Sequence, residues 1–385
     1  MRRPTRRAAV LTGVAILLVL AGSTAQAGWL FVLSAGVAGL VVVSLFWPHR
    51  LKHLSTTIGM PSSVAVGETF SARLTLKNDS ARRVSPLRAE GSFPGLEDHH
   101  LSLLSPLVTG ASVEGSVRVT ATKRGVYEQG EVTFRSGAPF GIAISRRTIN
   151  VANRMVVVPR TVYLRSFPID LSATSHSGEE EALRAGVGDE FLGVRPYRSG
   201  DPRRAVHWRS TARAGQLIVR EFQEPSRQAV EVIVAGVAPQ DDPGSSFETA
   251  ISAAASTALY MLALGHPLKL RFVTRDGPQY LEPGSERAVL VALAAATPSD
   301  LPLEALWQGV GRSAVAVFVT SAGAPGVSLP GFCAAVARSD RQVTAVVADS
   351  ASWGETGAPA HPALPRAAIV RILTKDEEMA QCLVA

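Results

Sequence analysis

Charged side chains are missing from one long stretch near the N-terminus. No Asp, Glu, Lys, Arg or His occurs from Ala8 to Pro48, a run of 41 residues. A membrane-spanning helix needs about 20 apolar residues, so this run is long enough for two. We predict helices in the apolar blocks Ala8–Leu20 and Trp29–Trp47, joined by a turn at Gly22–Gln26. Because the first block is short, its helix must borrow part of that turn.

Acidic residues are also missing from both flanks of this run. Four arginines precede it, Arg50 and Lys52 follow it, and the first acid is Glu68. By the positive-inside rule, both ends of a hairpin with these flanks lie in the cytoplasm. The same arginines, an apolar run and Ala25-Gln26-Ala27 also mimic a secretory signal with its cleavage site. Cleavage would leave a chain that starts with a second apolar stretch, so we favour an uncleaved hairpin in the cell membrane.

Cysteine is scarce, and the positive charge is confined to one region. Residues 1–53 hold six Arg or Lys and no acid, out of a net charge of +7, so the rest of the chain is nearly neutral. The basic balance therefore indicates membrane anchoring and no nucleic-acid partner. The two cysteines, Cys333 and Cys382, have no spacing typical of a disulfide framework or a metal knuckle. This usage fits a cytoplasmic body.

Motifs of common catalytic sites are absent. The chain has no phosphate-binding G-x-x-x-x-G-K-[ST] loop, no H-E-x-x-H and no G-x-S-x-G. Its eight histidines are scattered, and the pair at His99-His100 in the β-rich region is typical of surface or loop histidines. We therefore expect no catalytic residue and no cofactor.

The soluble part has two different hydrophobic patterns along the chain. Residues 54–160 contain short alternating runs, typical of an antiparallel β-sandwich. Predicted strands here are Thr69–Leu76, Val113–Thr120, Glu131–Arg135 and Thr148–Val151, with turns at Arg124-Gly125 and Gln129-Gly130.

Residues 228–385 instead alternate continuous apolar runs with helical patterns. This arrangement predicts a doubly wound α/β domain with a parallel sheet covered on both faces. The predicted strands are Val230–Ala235, Leu268–Thr274, Ala314–Thr320, Gln342–Ala348 and Ala367–Leu373, and the predicted helices are Phe247–Leu264, Ser285–Ala296, Gly331–Arg338 and Lys375–Leu383.

The connector at 161–227 contains the most distinctive segment, Gly188–Glu221. It has seven arginines among 34 residues, interleaved with acids and aromatics. We predict that Asp201 caps a helix that begins at Pro202 and ends at Gly215, followed by a strand at Leu217–Val219. Arg204 and Trp208 would then share a helix face, where guanidinium can stack on indole.

Three roles fit this mixture of residues. An internal Arg–carboxylate network of Arg195, Asp201, Arg204 and Arg213 would lock the connector, because bidentate pairs fix geometry. Alternatively, the segment docks a partner protein through Arg, Trp and Tyr anchors, or it binds an anionic ligand such as a phosphate or lipid headgroup. We favour the lock, which is compatible with docking.

The same segment resembles the signature of a bacterial family called domain of unknown function 58, and the order of the other parts is similar too. The resembling positions are Gly188, Glu190, Phe191, Arg195, Tyr197, Gly200, Asp201, Arg204, His207, Trp208, Ala212, Arg213, Gly215, Leu217, Arg220 and Glu221. The resemblance implies a membrane-anchored multidomain protein with a von Willebrand factor A-like domain at 228–385. It also implies a MoxR-type AAA+ ATPase as partner.

The metal motif of von Willebrand factor A-type domains is missing. In such domains D-x-S-x-S follows the first strand and supplies oxygen ligands to Mg²⁺. Here Ala235–Pro239 follows instead, and we interpret Asp241 and Asp242 as solvated loop acids. We therefore expect no metal site and a non-enzymatic scaffold or adaptor. The alternatives are an extracytoplasmic adhesion or binding module and, less favoured, a cryptic hydrolase.

Overall fold

A computed structural model divides the chain into two compact units. The first comprises Met1–Arg160 with Leu293–Ala295, and the second comprises Thr161–Ala292 with Ala296–Ala385. The structure describes residues 2–47, 51–97, 99–103, 106–169, 185–223, 228–236, 245–299, 306, 315–322, 343–354, 368–375 and 377–384.

The first unit begins with an antiparallel pair of apolar helices. Helix α1 spans Arg6–Ala25 and α2 spans Gly28–Phe46, joined at Gln26, which adopts the left-handed conformation with φ 52°. Both helices are long and apolar enough to cross a membrane. Thus α1 does extend through the predicted turn, and the turn itself is shorter than predicted because residues 22–25 are helical.

Small residues line the contact between these helices. Ala8, Ala15 and Gly22 are buried on α1 at intervals of seven residues, and Ser34 on α2 donates a hydrogen bond to the Ala15 carbonyl at 2.9 Å. Small side chains allow close approach of membrane helices, where packing replaces the hydrophobic effect. Large apolar side chains point outward instead, such as Leu17, which is 65% exposed.

Two sheets form the rest of the first unit. A six-stranded sheet has the order β1-β9-β8-β5-β6, with β3 pairing in parallel with β9, and a three-stranded sheet has the order β2-β4-β7. Buried residues from both sheets, including Leu76 and Phe134, form a shared core. The strands are β1 Arg2–Pro4, β2 Leu54–Gly59, β3 Ser63–Ala65, β4 Thr69–Asn78, β5 Leu87–Ser92, β6 His99–Leu103, β7 Ser112–Thr120, β8 Gly125–Ser136 and β9 Ala143–Val158.

The second unit contains a parallel sheet with one antiparallel edge strand. Its order is β14-β13-β12-β15-β16-β17, and only β14 runs antiparallel. The central strand β12 is buried along its whole length, as expected for a sheet covered on both faces. The elements are β10 Ala185–Pro196, α3 Trp208–Ala214, β11 Ile218–Gln223, β12 Val230–Ala235, α4 Ser246–Ala263, β13 Leu268–Thr274, β14 Gly277–Leu281, α5 Glu286–Ala294, β15 Val315–Ala322, β16 Val343–Asp349, β17 Ala368–Leu373 and α6 Met379–Leu383.

Most predicted elements are confirmed, and the differences concern a turn, a helix end and several strands. Gln129-Gly130 is not a turn, because both residues lie within β8, next to an irregularity in its pairing with β9. The last helix is shorter than predicted and begins at Met379. Strands β1, β2, β3, β5, β6 and β14 are not among the predicted strands. The helix predicted at Gly331–Arg338 lies outside the described residues.

Candidate functional site

The site lies in the connector, in the segment that joins strands β10 and β11. β10 and β11 pair antiparallel, and the chain between them forms a 3₁₀ turn at Arg203–Ala205 and then helix α3. Gly200 and Gly215, with φ of 107° and 65°, make the reversals at either side. Positive φ is readily available to glycine because it lacks a Cβ. Gly215 ends α3, as predicted, and its N–H donates to the Thr211 carbonyl.

Arg195 is the centre of an ionic network at this site. Its Nη1 and Nη2 donate to the two carboxylate oxygens of Asp201 at 2.7 and 2.9 Å, and its Nε donates to Glu221 at 3.2 Å. All three side chains are only partly exposed, with Asp201 at 17%. The planar guanidinium therefore ties the end of β10 to both the following turn and the facing strand, a geometry that lysine cannot provide.

This network changes the acid–base properties of its members. The hydrogen bonds from Arg195, together with the Arg198 backbone N–H at 2.8 Å, lower the pKa of Asp201 to about 2 from its ordinary 3.8. Conversely, the hydrogen bond to Asp201 raises the pKa of Arg195. Both groups are therefore fully charged at neutral pH, so the network is a permanent ion pair and not a proton donor or acceptor.

Backbone hydrogen bonds hold the rest of the connector against β11. The N–H of Tyr197 donates to the Leu217 carbonyl at 2.9 Å, and that of His207 donates to Ile218 at 2.8 Å. The Ile218 N–H donates to the Thr211 hydroxyl at 3.0 Å. His207 precedes α3, and its Nδ1 lies 2.8 Å from the Ser210 hydroxyl. These bonds fix the turn and α3 as one unit with the β10–β11 pair.

A group of exposed residues follows the network along the chain. We call Arg203, Arg204, Trp208, Arg209 and Arg213 the arginine surface. Trp208 is 69% exposed, and Arg209 and Arg213 are four residues apart in α3, which places them on the same side of the helix. Within the described part of the chain, none of these four arginines makes an ion pair.

Some predictions for this segment are wrong. Asp201 does not cap a helix, because its carboxylate binds Arg195 and the Arg198 N–H, and α3 begins only at Trp208. Pro202 precedes a 3₁₀ turn instead. Arg204 and Trp208 therefore lie in different elements and do not share a helix face. Arg204 and Arg213 are exposed and lie outside the Arg195 network, which recruits Glu221 instead.

The remaining signature residues take defined places around the network. Gly188, Glu190 and Phe191 lie in β10, where Phe191 pairs in register with Phe222 of β11. Leu217 is 45% exposed just before β11, and Arg220 and Glu221 lie within that strand.

Polar groups also meet at the carboxyl ends of the parallel strands. Ligands of doubly wound sheets bind at this edge. Ser245 accepts the Glu248 N–H at the start of α4, and Asp349 accepts the Ala351 N–H after β16. Among the residues that the structure describes, no three His, Cys, Asp or Glu side chains cluster as metal ligands would. Asp241 and Asp242 lie outside those residues, so the absence of a metal site stays a prediction.

The fold and the helices together indicate a membrane-anchored α/β protein. Residues 193–326 match the family model described as protein of unknown function DUF58, which supports the resemblance of the connector to that family. The match begins at the end of β10, so it includes Arg195, Asp201, Glu221 and the arginine surface. No protein of curated function matches the chain.

Solved structures similar to this chain include three unrelated proteins. One is AvmM, which catalyses macrocyclization in alchivemycin A biosynthesis, with 13% identity, a TM-score of 0.21, and coverage of 29% of this chain and 93% of that chain. Another is the CARDB domain of PF1109 from Pyrococcus furiosus, with 14% identity, a TM-score of 0.19 and coverage of 26% and 93%. A β-glucosidase from Listeria innocua has 10% identity, a TM-score of 0.16 and coverage of 27% and 16%. Similarity this weak carries no argument about function.

Proposed function

We propose that this protein is a non-enzymatic adaptor, anchored in the bacterial cell membrane by α1 and α2, with its soluble domains in the cytoplasm. Its partner is a MoxR-type AAA+ ATPase, which binds at the arginine surface. The family resemblance suggests the partner, and the exposed residues of the connector suggest where it binds.

The charge balance of the connector carries the proposal. Asp201 and Glu221 both bind Arg195, so these acids do not neutralise the arginine surface. Four arginines and an indole that is 69% exposed remain directed to solvent within eleven consecutive residues. Arginine and tryptophan are the residue types that most often dominate binding energy at protein interfaces. A partner with an acidic patch fits this surface.

Different residues therefore fulfil the two roles, the structural ionic network and the docking surface. Arg195, Asp201 and Glu221 hold the shape, while the arginine surface is carried on the 3₁₀ turn and α3. A surface that is held in place before binding loses less conformational entropy when the partner arrives. The same division explains why the segment needs so many arginines without becoming a disordered basic tail.

The sheet of the second unit supports the adaptor architecture. Numbered from β12 onward along the chain, its strand order is 3-2-1-4-5-6, with an antiparallel third strand at the edge. This is a doubly wound order, and we assign the domain as von Willebrand factor A-like. Without the D-x-S-x-S motif, the domain binds its partner independently of a metal.

The contacts of the anchor and its basic flanks support this orientation. β1, which precedes α1, pairs with β9, so the N-terminus and the β-sandwich lie on the same side of the membrane. Cleavage after Ala27 would remove β1, α1 and these contacts. The basic flanks then place this side in the cytoplasm.

Capture from native membranes tests the docking surface. Tagged full-length chain would be solubilised from membranes and its partners identified by mass spectrometry, comparing wild type with Arg209→Glu/Arg213→Glu and with Trp208→Ala. We expect wild type to capture an AAA+ ATPase and each variant to capture on the order of tenfold less. Arg118→Glu on β7 is the matched control, since it reverses an exposed arginine elsewhere and should capture normally. Equal capture by all variants would remove the arginine surface from the proposal.

A further inference from the structure

The loop between β8 and β9 exposes an aromatic side chain next to the apolar helices. Phe140 is 51% exposed, although it lies only two residues from Ile142, which is 3% exposed. A second apolar side chain, Ile144, follows at the start of β9 and is 38% exposed. An exposed aromatic side chain beside a membrane anchor is apolar surface that the membrane can cover.

Contacts with the hairpin fix the depth of this loop. Ile142 is buried in a cluster with Ala8 of α1 and Val41 of α2, against which Leu11 and Leu45 also pack. Thr5 holds the loop from the other side, since its hydroxyl donates to the carbonyls of Ile142 at 2.8 Å and Gly141 at 3.2 Å. The loop is therefore bonded to the base of the hairpin.

The same contacts place the loop beside the first uncharged residues of α1. A helix rises about 1.5 Å per residue, so Ala8 and Leu11 lie roughly 3–8 Å beyond Arg6 along α1. In a bilayer, Arg6 and Arg7 reach the headgroups, and the next turn of the helix enters the apolar boundary. Because Ile142 packs against that next turn, Phe140 lies at the level where aromatic side chains are most stable in membranes.

An arginine of α1 lies beside the loop at this depth. A Cβ built at Gly141 would come within 3.5 Å of the Arg7 guanidinium, so this arginine lies directly over the backbone of the loop. A cation beside an exposed aromatic side chain suits the phosphate-rich surface of a leaflet.

We propose that the loop at residues 139–141 is a second, peripheral membrane contact, in which Phe140 enters the interfacial region of the leaflet that holds the base of the hairpin. The covering surface is phospholipid. The β-sandwich is then held to the membrane at the hairpin and at this loop, which restricts its rotation about the anchor. This inference rests on the proposed membrane anchoring of α1 and α2.

Fluorescence quenching by labelled lipids tests the contact. The full-length chain, with Cys333→Ser and Cys382→Ser, would carry one cysteine at a time with an environment-sensitive fluorophore. The positions are Phe140→Cys for the loop, Leu17→Cys for the middle of α1, and Val126→Cys as the control. Val126 is also apolar and 37% exposed, but it pairs with Val156 at the far end of β9. Each protein would be reconstituted in vesicles of phosphatidylethanolamine and phosphatidylglycerol whose acyl chains are brominated near the headgroup for the Phe140 and Val126 labels and near the terminal methyl for the Leu17 label.

We expect the labels at Leu17 and Phe140 to show blue-shifted emission and loss of fluorescence with brominated lipid, and the label at Val126 to show neither. Quenching at Leu17 without quenching at Phe140 would overturn this proposal and leave the anchor intact. Absence of quenching at Leu17 would overturn the anchor and the loop contact together. Equal melting of the Phe140→Cys protein and its cysteine-free parent would show that the label reports on a folded domain.

Discussion

Arg195 and Asp201 face each other through two parallel hydrogen bonds, at 2.7 and 2.9 Å, across the turn that leads from β10 to α3. This pair, together with the bond from the same guanidinium to Glu221, engages both acids between Gly188 and Glu221 whose side chains the structure describes. Its position makes it a structural element that also determines the charge presented by the segment. Removing the acid would affect folding first and binding second.

Replacing Asp201 should destabilise the protein without any partner present. Asp201→Ala removes both hydrogen bonds from Arg195 and the bond from the Arg198 N–H, so we expect a melting temperature lower by a few degrees, measured by circular dichroism on the full chain in detergent. The loss is limited because Arg195 retains Glu221. Arg204→Ala is the control, since Arg204 is exposed outside the network and should melt like wild type. Equal melting of Asp201→Ala and wild type would refute the lock.

Acid should remove the contribution of the same pair. The pKa of Asp201 is lowered to about 2 in the folded chain from an ordinary 3.8. A lowered folded pKa means that the stabilisation is complete above the unfolded value and is lost as the pH falls through the folded one. We expect wild type to melt above Asp201→Asn from neutral pH down to about pH 4, with the difference shrinking toward about pH 2. A difference that is constant over this range would contradict the ion pair.

Sequence patterns predict the fold far better than they predict the connector. Val230–Ala235 was predicted with its observed bounds because a strand buried on both faces has a continuous apolar run. β14 was missed because four of its five residues are exposed, which leaves no apolar pattern. The turn signal that precedes it, Asp276-Gly277, could have revealed the hairpin.

Of the four residues predicted to form a network, Arg195 and Asp201 pair in the structure, whereas Arg204 and Arg213 lie outside the network. An Asp-Pro pair is typical of a helix start, yet the side chain of Asp201 has a stronger partner in Arg195, six residues earlier. Charge-assisted bidentate bonds are stronger than a single bond to a backbone N–H, so the ion pair prevails over the cap. Local sequence rules do not include a partner on a neighbouring strand, which is why they do not reveal that Glu221 joins the network.

The α/β domain should not respond to divalent metal. No D-x-S-x-S follows β12, so we expect the melting temperature of the full chain to be the same with Mg²⁺ or Mn²⁺ at millimolar concentration and with chelator. A ligand present at about 100 times its dissociation constant would add about 2.7 kcal/mol of stability. A saturable rise in melting temperature would show that the chain binds a metal and would contradict this prediction.

The membrane topology is the most direct test of the whole account, because the adaptor role requires the connector to face the cytoplasm. Alkaline phosphatase fused after Ala385 should be inactive and a fluorescent protein at the same position should be bright. Fusions after Gln26, in the turn of the hairpin, should give the opposite pair of results and serve as the control. High phosphatase activity at the C-terminus, or a mature chain that begins at Gly28, would contradict a cytoplasmic adaptor anchored by an uncleaved hairpin.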